Sequence, residues 1–396
     1  MTGAMAATVV ISRRGADRVR SGHPWVYQSD IVESDAAPGD LVRVREQGRR
    51  AVGWALWSSQ SQISIRMMGG PAEAVDERAL FGERLRAAIA YRAELDIDGT
   101  AYRLVHGEAD RLPALIVDRY GDDRGAYLVI QTLCQGMDRR LDLIVELLGE
   151  IVRPTGILAR NDPKVRRLEG LDEEVAVLAG DVPDTVRVRE GDVTLQADLR
   201  HGQKTGLFLD QRENHALAAR YTRGRALDAF TYHGGFGLHL ARRAASVLAI
   251  DSSAAAVAAT RANADANRLT NLEAREANVF DELRELETAG ERFETIVLDP
   301  PAFAKNRAAV ERAAAGYKEI NLRALRLLAP GGHLITCSCS YNVGESLFLD
   351  IVADAAADAR ATVTLVEKRT QARDHPVLVG VPETHYLKCL VLRKLA

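Results

Sequence analysis

Arg225-Ala226-Leu227-Asp228-Ala229-Phe230-Thr231-Tyr232-His233-Gly234-Gly235-Phe236-Gly237 is the stretch on which the reading of this 396-residue chain turns. Residues 225–229 read as a buried strand. The glycines that follow let a ligand approach the backbone before a helix begins. The pattern repeats downstream. Helices are predicted at Asn214–Tyr221, Phe236–Ala244, Ser253–Asn267 and Val310–Leu328, and strands at Ser246–Ile250, Thr295–Leu298 and His333–Thr336. Strands alternating with helices imply a parallel sheet with right-handed crossovers. Ligands of such sheets sit outside the carboxyl ends of the strands.

Working upstream, Tyr102 to Leu199 reads as a compact α+β module. Its strands are predicted at Tyr102–Val105, Ala114–Val117, Ala126–Thr132 and Ile157–Ala159, with a hairpin at Thr185–Arg189 and Val193–Ala197. Met137–Ile151 has the spacing of an amphipathic helix, and Asp76–Glu94 reads as a connecting helix. Residues 8–70 read as short strands punctuated by Gly39-Asp40 and Gly48, which suggests a small barrel. The expected organisation is a barrel over 1–73, a connector and central module over 74–200, and an α/β domain over 201–396.

Composition sets the limits. The chain is 47% apolar and 27% charged, which excludes disorder, collagen and small disulfide scaffolds. No apolar run approaches the ~18 residues of a membrane span, and the start has no basic segment ahead of its apolar stretch, so no secretory signal or membrane association is expected. Four Cys are too few for a disulfide framework, and a cytoplasmic protein with free thiols is the default. Net charge is −3, which neither requires nor excludes a nucleic-acid partner. Most of the 52 cations are Arg, which forks onto phosphate and stacks on bases. Arg13, Arg14, Arg18 and Arg20 run into Gly22-His23-Pro24-Trp25-Val26-Tyr27. Cations interleaved with aromatics suit phosphate contact and base stacking. A solvated Arg face over a core holding Trp25 and Tyr27 would look the same.

Chemistry-bearing residues gather at the predicted strand ends. Asp251 ends the second strand, where a carboxylate can accept both hydroxyls of a ribose or cap the next helix. The glycines do not fit the spaced dinucleotide fingerprint, so a nucleoside cofactor other than NAD is indicated. Asp299-Pro300-Pro301-Ala302-Phe303 leaves the next strand through a rigid turn that removes backbone donors, a pattern suited to methyl transfer to a base or an amine. The last predicted strand runs through Cys337 to Cys339. Cys337 lies nearer the strand and reads as packing. Cys339 lies past the apolar run, where the chain should reach the cleft. The Cys spacing matches no common metal site, and no metal is expected.

Taken together, these residues resemble the S-adenosylmethionine-dependent methyltransferases of Rossmann-like type, and more narrowly the bacterial large-subunit ribosomal RNA cytosine-C5 methyltransferases with an N-terminal PUA domain. The resemblance is carried by Gly22-His23-Pro24-Trp25, by His201-Gly202-Gln203-Lys204-Thr205-Gly206 with Leu209-Asp210-Gln211-Arg212, by Gly234-Gly235-Phe236, by Asp299-Pro300-Pro301, by Ser338-Cys339-Ser340 and by Tyr386-Leu387-Lys388. It implies an α/β fold with a C-terminal Rossmann-like domain, an N-terminal PUA-like barrel and the central α+β module. It also implies that Phe230, Tyr232, Gly234 and Gly235 line the methionine end of S-adenosylmethionine, that Asp251 holds the ribose, and that Asn278 stands at the adenine where relatives often carry Asp. Gln211 and Pro300 would complete the cofactor site. Cys339 would be the nucleophile and Asp299 would face the cytosine edge. The base for the carbon-5 proton would be a water held by Asp299, or His375. Arg13, Arg14, Arg18, Arg20, Trp25, Lys204 and Arg212 would contact ribosomal RNA, and a homodimer is compatible with the family. Methyl transfer to an exocyclic base amine without a thiol, and a non-enzymatic RNA-binding assembly factor, are the competing readings.

Overall fold

The computed structural model describes residues 6–48, 50–71, 75–122, 124–304 and 307–395. The boundary expected at 73/74 and the opening residues 1–5 lie outside the described residues. Contacts divide the chain into two compact units. One holds residues up to Val188 with Ala197–Leu209 and Arg373–Thr384, and the other holds Arg189–Gln196, Asp210–Ala372 and His385–Ala396.

The first unit contains two sheets. A six-stranded mixed sheet is built from the strands of residues 8–69, with Thr8–Ile11 parallel to Leu41–Glu46 and its other neighbours antiparallel. Its inner side buries Val9, Ile11, Val26, Val42, Val44, Ala55 and Ile65. Short strands are expected throughout this region. The structure instead makes Arg13–Arg20 a helix. Ser12 starts it, its Oγ accepting from the Gly15 amide at 3.1 Å, which satisfies one of the helix's orphan donors. A second, five-stranded sheet runs in the order Glu174–Gly180, Gly156–Asn161, Gly125–Thr132, Leu115–Asp122, Ala101–His106. The connecting helix expected over Asp76–Glu94 forms as Glu77–Glu94 and packs near it, with Asp76 Oδ1 accepting from the Ala79 amide at 3.0 Å as its cap. The helix predicted over 137–151 is two pieces, Gln135–Asp138 and Leu141–Val152. Arg140 breaks it: its guanidinium forks onto Glu77 at 2.6 and 3.0 Å and donates to the Gly39 and Gly136 carbonyls.

In the second unit a seven-stranded sheet positions the site. Its order is Leu272–Glu276, Ser246–Asp251, Arg225–Ala229, Phe293–Leu298, Leu328–Ser338, Lys388–Lys394, Val363–Arg369. The first five strands are parallel. The last two in that order are antiparallel additions. Register aligns the carboxyl ends: Ala229 lies opposite Ile250 and Leu298, and Leu298 opposite Thr336. The loops after Ala229, Asp251, Leu298 and Ser338 therefore leave one edge together. Beneath them Leu227, Ile250, Ile296, Leu298, Ile320 and Leu334 are fully buried, each such side chain contributing roughly 1.5–3 kcal/mol. No helix among the described residues is long and apolar enough to cross a membrane.

Candidate active site

The loop after Ala229 is bent by backbone conformation. Phe230, Tyr232 and Gly234 adopt φ of 68°, 52° and 85°. Two non-glycine residues held in the left-handed region cost of order 1–3 kcal/mol each, and such strain clusters where a ligand is clamped. Their surroundings hold them there. Asp228, fully buried, accepts from Thr231 Oγ1 at 2.5 Å and from the Gly237 amide at 2.7 Å, fastening both limbs of the loop. Its second oxygen, Oδ1, is buried with no hydrogen-bond partner. Burial pushes this carboxyl up to about 6. The Tyr232 amide donates to Asp251 Oδ2 at 3.0 Å and the Ser253 amide to Asp251 Oδ1 at 2.9 Å, so each oxygen keeps a lone pair for a hydroxyl. Thr260 and Asn263 brace the loop from the helix Ala254–Ala266, donating to the Tyr232 and His233 carbonyls at 2.8 and 2.9 Å. Gly235 tolerates nothing larger, because a Cβ there would stand 2.5 Å from His215 Cε1.

Beneath the loop lies a buried trio of one carboxylate and two imidazoles, none of them singled out from the sequence. Glu190 Oε1 is 2.6 Å from His215 Nδ1 and 3.6 Å from His239 Nε2, and all three residues are buried. His239 Nδ1 donates to the Gly235 carbonyl at 2.8 Å. These are the one set of metal-type side chains this close among the described residues. The 2.6 Å separation is a charge-assisted hydrogen bond, which pairs His215 and Glu190 without an ion. Burial pulls the His215 imidazole down, but Glu190 outweighs it and leaves it raised; the reverse balance holds Glu190 below its usual range. Nothing in the sequence adjoins these residues. A hairpin turn delivers Glu190 to two helices.

Asp299 and Cys339 come from neighbouring strand ends. Gln211 Nε2 donates to Asp299 Oδ1 at 2.8 Å, and Asn214 fixes Gln211 by donating to its Oε1 at 2.6 Å. Burial, with Asp210 and Asp228 nearby, raises the Asp299 carboxyl to about 7. Cys339 Sγ lies 3.8 Å from the carbonyl of Pro300, the residue after Asp299. Ser340 ties the two turns together, its Oγ meeting the Ala304 amide at 3.2 Å and the Tyr317 hydroxyl at 2.9 Å. Cys339 is the one partly exposed cysteine, the other three being buried. Cys337 faces Cys389 across the strands, and burial with that neighbouring sulfur pushes its thiol well up, as befits a packing residue.

The structure places the other expected residues less uniformly. Asn278 caps the helix Val279–Thr288, its Oδ1 accepting from the Phe280 amide at 2.9 Å. Phe230 packs edge-on to Phe280 and Phe303, with centroids 6.4 and 6.5 Å away. Arg212 is 5% exposed within its helix. In the first unit Arg13 is exposed beside Asp17. Arg14 and Arg18 pair with buried Asp30 at 2.7 and 3.5 Å, and Arg18 also covers the Tyr27 ring at 4.5 Å. Arg20 pairs with Asp17 and Glu46. The Trp25 indole donates to Glu108 at 3.0 Å. Lys204, exposed, lies 4.4 Å over the Phe208 ring, while its neighbour Thr205 is buried and donates to Asp118 at 2.7 Å. His375 belongs to this unit, and its Nδ1 is 3.2 Å from Asp374.

A PUA-like domain model matches residues 9–69, and a model of the S-adenosylmethionine-dependent methyltransferases matches residues 164–393. The ribosomal RNA large subunit methyltransferase I of Aeromonas hydrophila subsp. hydrophila is 39% identical over 399 residues, covering 98% of this chain and all of that protein. The protein of the same name from Aeromonas salmonicida is 40% identical over 380 residues, covering 94% of this chain and 95% of the relative. Among solved structures, the methyltransferase SMU.776 complexed with SAH shares the fold at a TM-score of 0.83 and 20% identity, over 98% of this chain and 99% of that one. A SAM-dependent methyltransferase from Streptococcus mutans aligns at 0.81 and 19% identity, again over 98% and 99%. The buried unpartnered Asp228 oxygen and the clamped loop of 230–234 fit a nucleoside cofactor at the strand ends. The chain belongs to the S-adenosylmethionine-dependent methyltransferases that carry an amino-terminal PUA-like domain, the family of the ribosomal RNA large subunit methyltransferase I proteins.

Proposed function

We propose that this protein acts in the cytoplasm on large-subunit ribosomal RNA and methylates carbon 5 of a cytosine, with Cys339 as nucleophile and Asp299 as the group facing the base. The observation that carries this reading is the partly exposed Cys339 sulfur, 3.8 Å from the backbone of the Asp299-Pro300-Pro301 turn. Carbon 5 of cytosine is too weak a nucleophile to take a methyl group unaided. A thiolate that adds to carbon 6 turns the ring into an enamine, and its electron pair then becomes available at carbon 5. Bound S-adenosylmethionine supplies the electrophilic methyl group. Removal of the carbon-5 proton restores the ring double bond as the carbon–sulfur bond breaks and the thiolate leaves.

Asp299 suits the other half of this chemistry. At about 7, its carboxyl is present in the acid form near neutrality. Gln211 occupies Oδ1, so Oδ2 is the oxygen to carry the proton and donate it to the ring nitrogen as charge builds during thiolate addition. The cofactor contacts this reading expects are Phe230, Tyr232, Gly234 and Gly235 in the bent loop, Asp251 at the ribose, and Gln211, Asp299 and Pro300. Asn278 offers the adenine its amide nitrogen while its oxygen caps the helix. Arg13, Arg14, Trp25 and Lys204 are the first unit's candidates for RNA contact, with Arg18 and Arg20 positioned through their carboxylate partners. Extruding the target base from its stack costs a few kcal/mol, which favours a loop or bulge as substrate.

The test is product analysis. Wild-type protein should produce 5-methylcytosine in nucleoside digests of large-subunit RNA and form a covalent adduct with 5-fluorocytosine-substituted RNA. Cys339→Ala should bind the cofactor normally and do neither. An N-methylated base as product, or full turnover by the Ala variant, would overturn the reading.

A further inference from the structure

The Tyr386-Leu387-Lys388 motif has no role in the mechanism so far. Lys388 opens the antiparallel strand Lys388–Lys394, in register with Ser338, one residue before Cys339. The residue is 3% exposed. Its Nζ donates to the Ser340 carbonyl at 2.8 Å and to the Tyr386 carbonyl at 2.9 Å. Ser340 is the residue after Cys339, and Tyr386 is itself anchored by its hydroxyl on Asp210 at 2.7 Å. Two of the three ammonium donors are thereby spent on neutral carbonyls. No carboxylate among the described residues lies within ion-pair distance of it. A cation taken out of water without a counter-charge is expensive, by several kcal/mol. The group that acts on it electrostatically is the Cys339 sulfur.

We propose, on the footing of the cytosine-C5 reading, that Lys388 is the positioning residue that readies Cys339, its anchored ammonium being the counter-charge that holds the sulfur as thiolate. The proton balance is simple: the thiol releases its proton to water, S–H becoming S⁻, beside an amine that is already NH3⁺ below about 8, with no other reactant. Burial brings the Lys388 amine down to about 8, close to the ~8.5 of an unperturbed thiol. Described titratable groups near the sulfur include Asp299, on the turn carrying Pro300, and Tyr317, whose hydroxyl bonds Ser340. Neither supplies positive charge.

The experiment is the pH dependence of Cys339 alkylation by iodoacetamide, followed on its tryptic peptide by mass spectrometry in the full chain without RNA. Wild type should show a midpoint well below 8.5. Lys388→Met should move it upward by a unit or more, lowering the rate at pH 7 by tenfold or more while leaving the high-pH plateau unchanged. Lys388→Arg, which keeps the charge, should restore most of the rate. A wild-type midpoint at or above 8.5 overturns the proposal with no variant needed, and so does an unmoved midpoint in a Lys388→Met protein that still binds S-adenosylmethionine. Because alkylation needs no nucleic acid, a low midpoint together with no adduct on 5-fluorocytosine RNA would reject the cytosine-C5 reading and leave the Lys388–Cys339 pair standing.

Discussion

Replacing Asp228 by Asn tests whether the loop's fastening is also a burden on the fold. Asp228 is wholly buried and its carboxyl is raised from the ordinary 3.8 to about 6. That difference corresponds to about 3 kcal/mol favouring the protonated form. The folded state therefore holds a proton that the unfolded chain has released between pH ~4 and ~6, and stability must fall as pH rises through that window. Asn is isosteric. Its oxygen can accept from Thr231 and Gly237 as Asp228 Oδ2 does, but its amide nitrogen must sit where Oδ1 has no partner. An unsatisfied buried group costs about 1–3 kcal/mol at any pH. Asp228→Asn should thus be less stable than wild type at pH 4 and should gain on it by about 3 kcal/mol by pH 7.5, reaching parity or better. For a domain of this size the relative shift is on the order of 6–12 °C in Tm. Thermal unfolding of both proteins without cofactor, at the two pH values, measures it. The variant should bind S-adenosylmethionine more weakly throughout. A Tm difference that is the same at pH 4 and pH 7.5 would refute the claim that the buried carboxyl is held neutral, and with it the account of the orphaned oxygen as a ligand-facing group.

Further expectations follow from the same contacts. Gly235→Ala places a methyl 2.5 Å from His215 and should cost about 1–3 kcal/mol while weakening cofactor binding, measured by calorimetry. Glu190→Gln leaves His215 buried without its anion; it should destabilise the protein by about 3–5 kcal/mol at pH 6. The loss should shrink as pH rises through the raised His215 value, because the pair's contribution is full below 6.5 and fades above it. Arg13→Glu should weaken RNA binding in a filter assay with Tm unchanged, since that side chain is exposed. Arg18→Ala should lower both, since it also packs on Tyr27 and Asp30; an unchanged Tm there would contradict the packing described.

The sheet was legible where the chain alternates strictly. Ser246–Asp251 and Phe293–Leu298 carry the apolar runs Val247–Ile250 and Ile296–Leu298, Asp299 could be placed because it follows such a run directly, and Cys339 because it lies just past the strand Leu328–Ser338. Reading failed where charge masks the period. Val279–Thr288 buries Leu283 and Leu286 among five charged residues, and Leu272–Glu276 buries one residue in five. The helix Arg13–Arg20 buries only Gly15 and Ala16, so nothing apolar announced it. At the site, local motifs were visible and long-range partners were not. Gln211 is named by its motif but its Asp299 partner is not, Asn214, Glu190 and His215 reach the site from distant segments unannounced, and no spacing rule links position 190 to 215 or 340 to 388. The paired Arg14, Arg18 and Arg20 show the same limit, since a run of cations in sequence says nothing about the carboxylates that neutralise them.

One topological detail bears on how the protein comes to be active. Lys388–Lys394 is the last of the seven strands in chain order, yet it lies inside the sheet, between Leu328–Ser338 and the edge strand Val363–Arg369. Until it docks, the edge strand has no neighbour and the Cys339 turn lacks a wall. The turn at Cys339 is therefore completed by a strand made after the other six, and the parallel core is laid down before the segment that walls it.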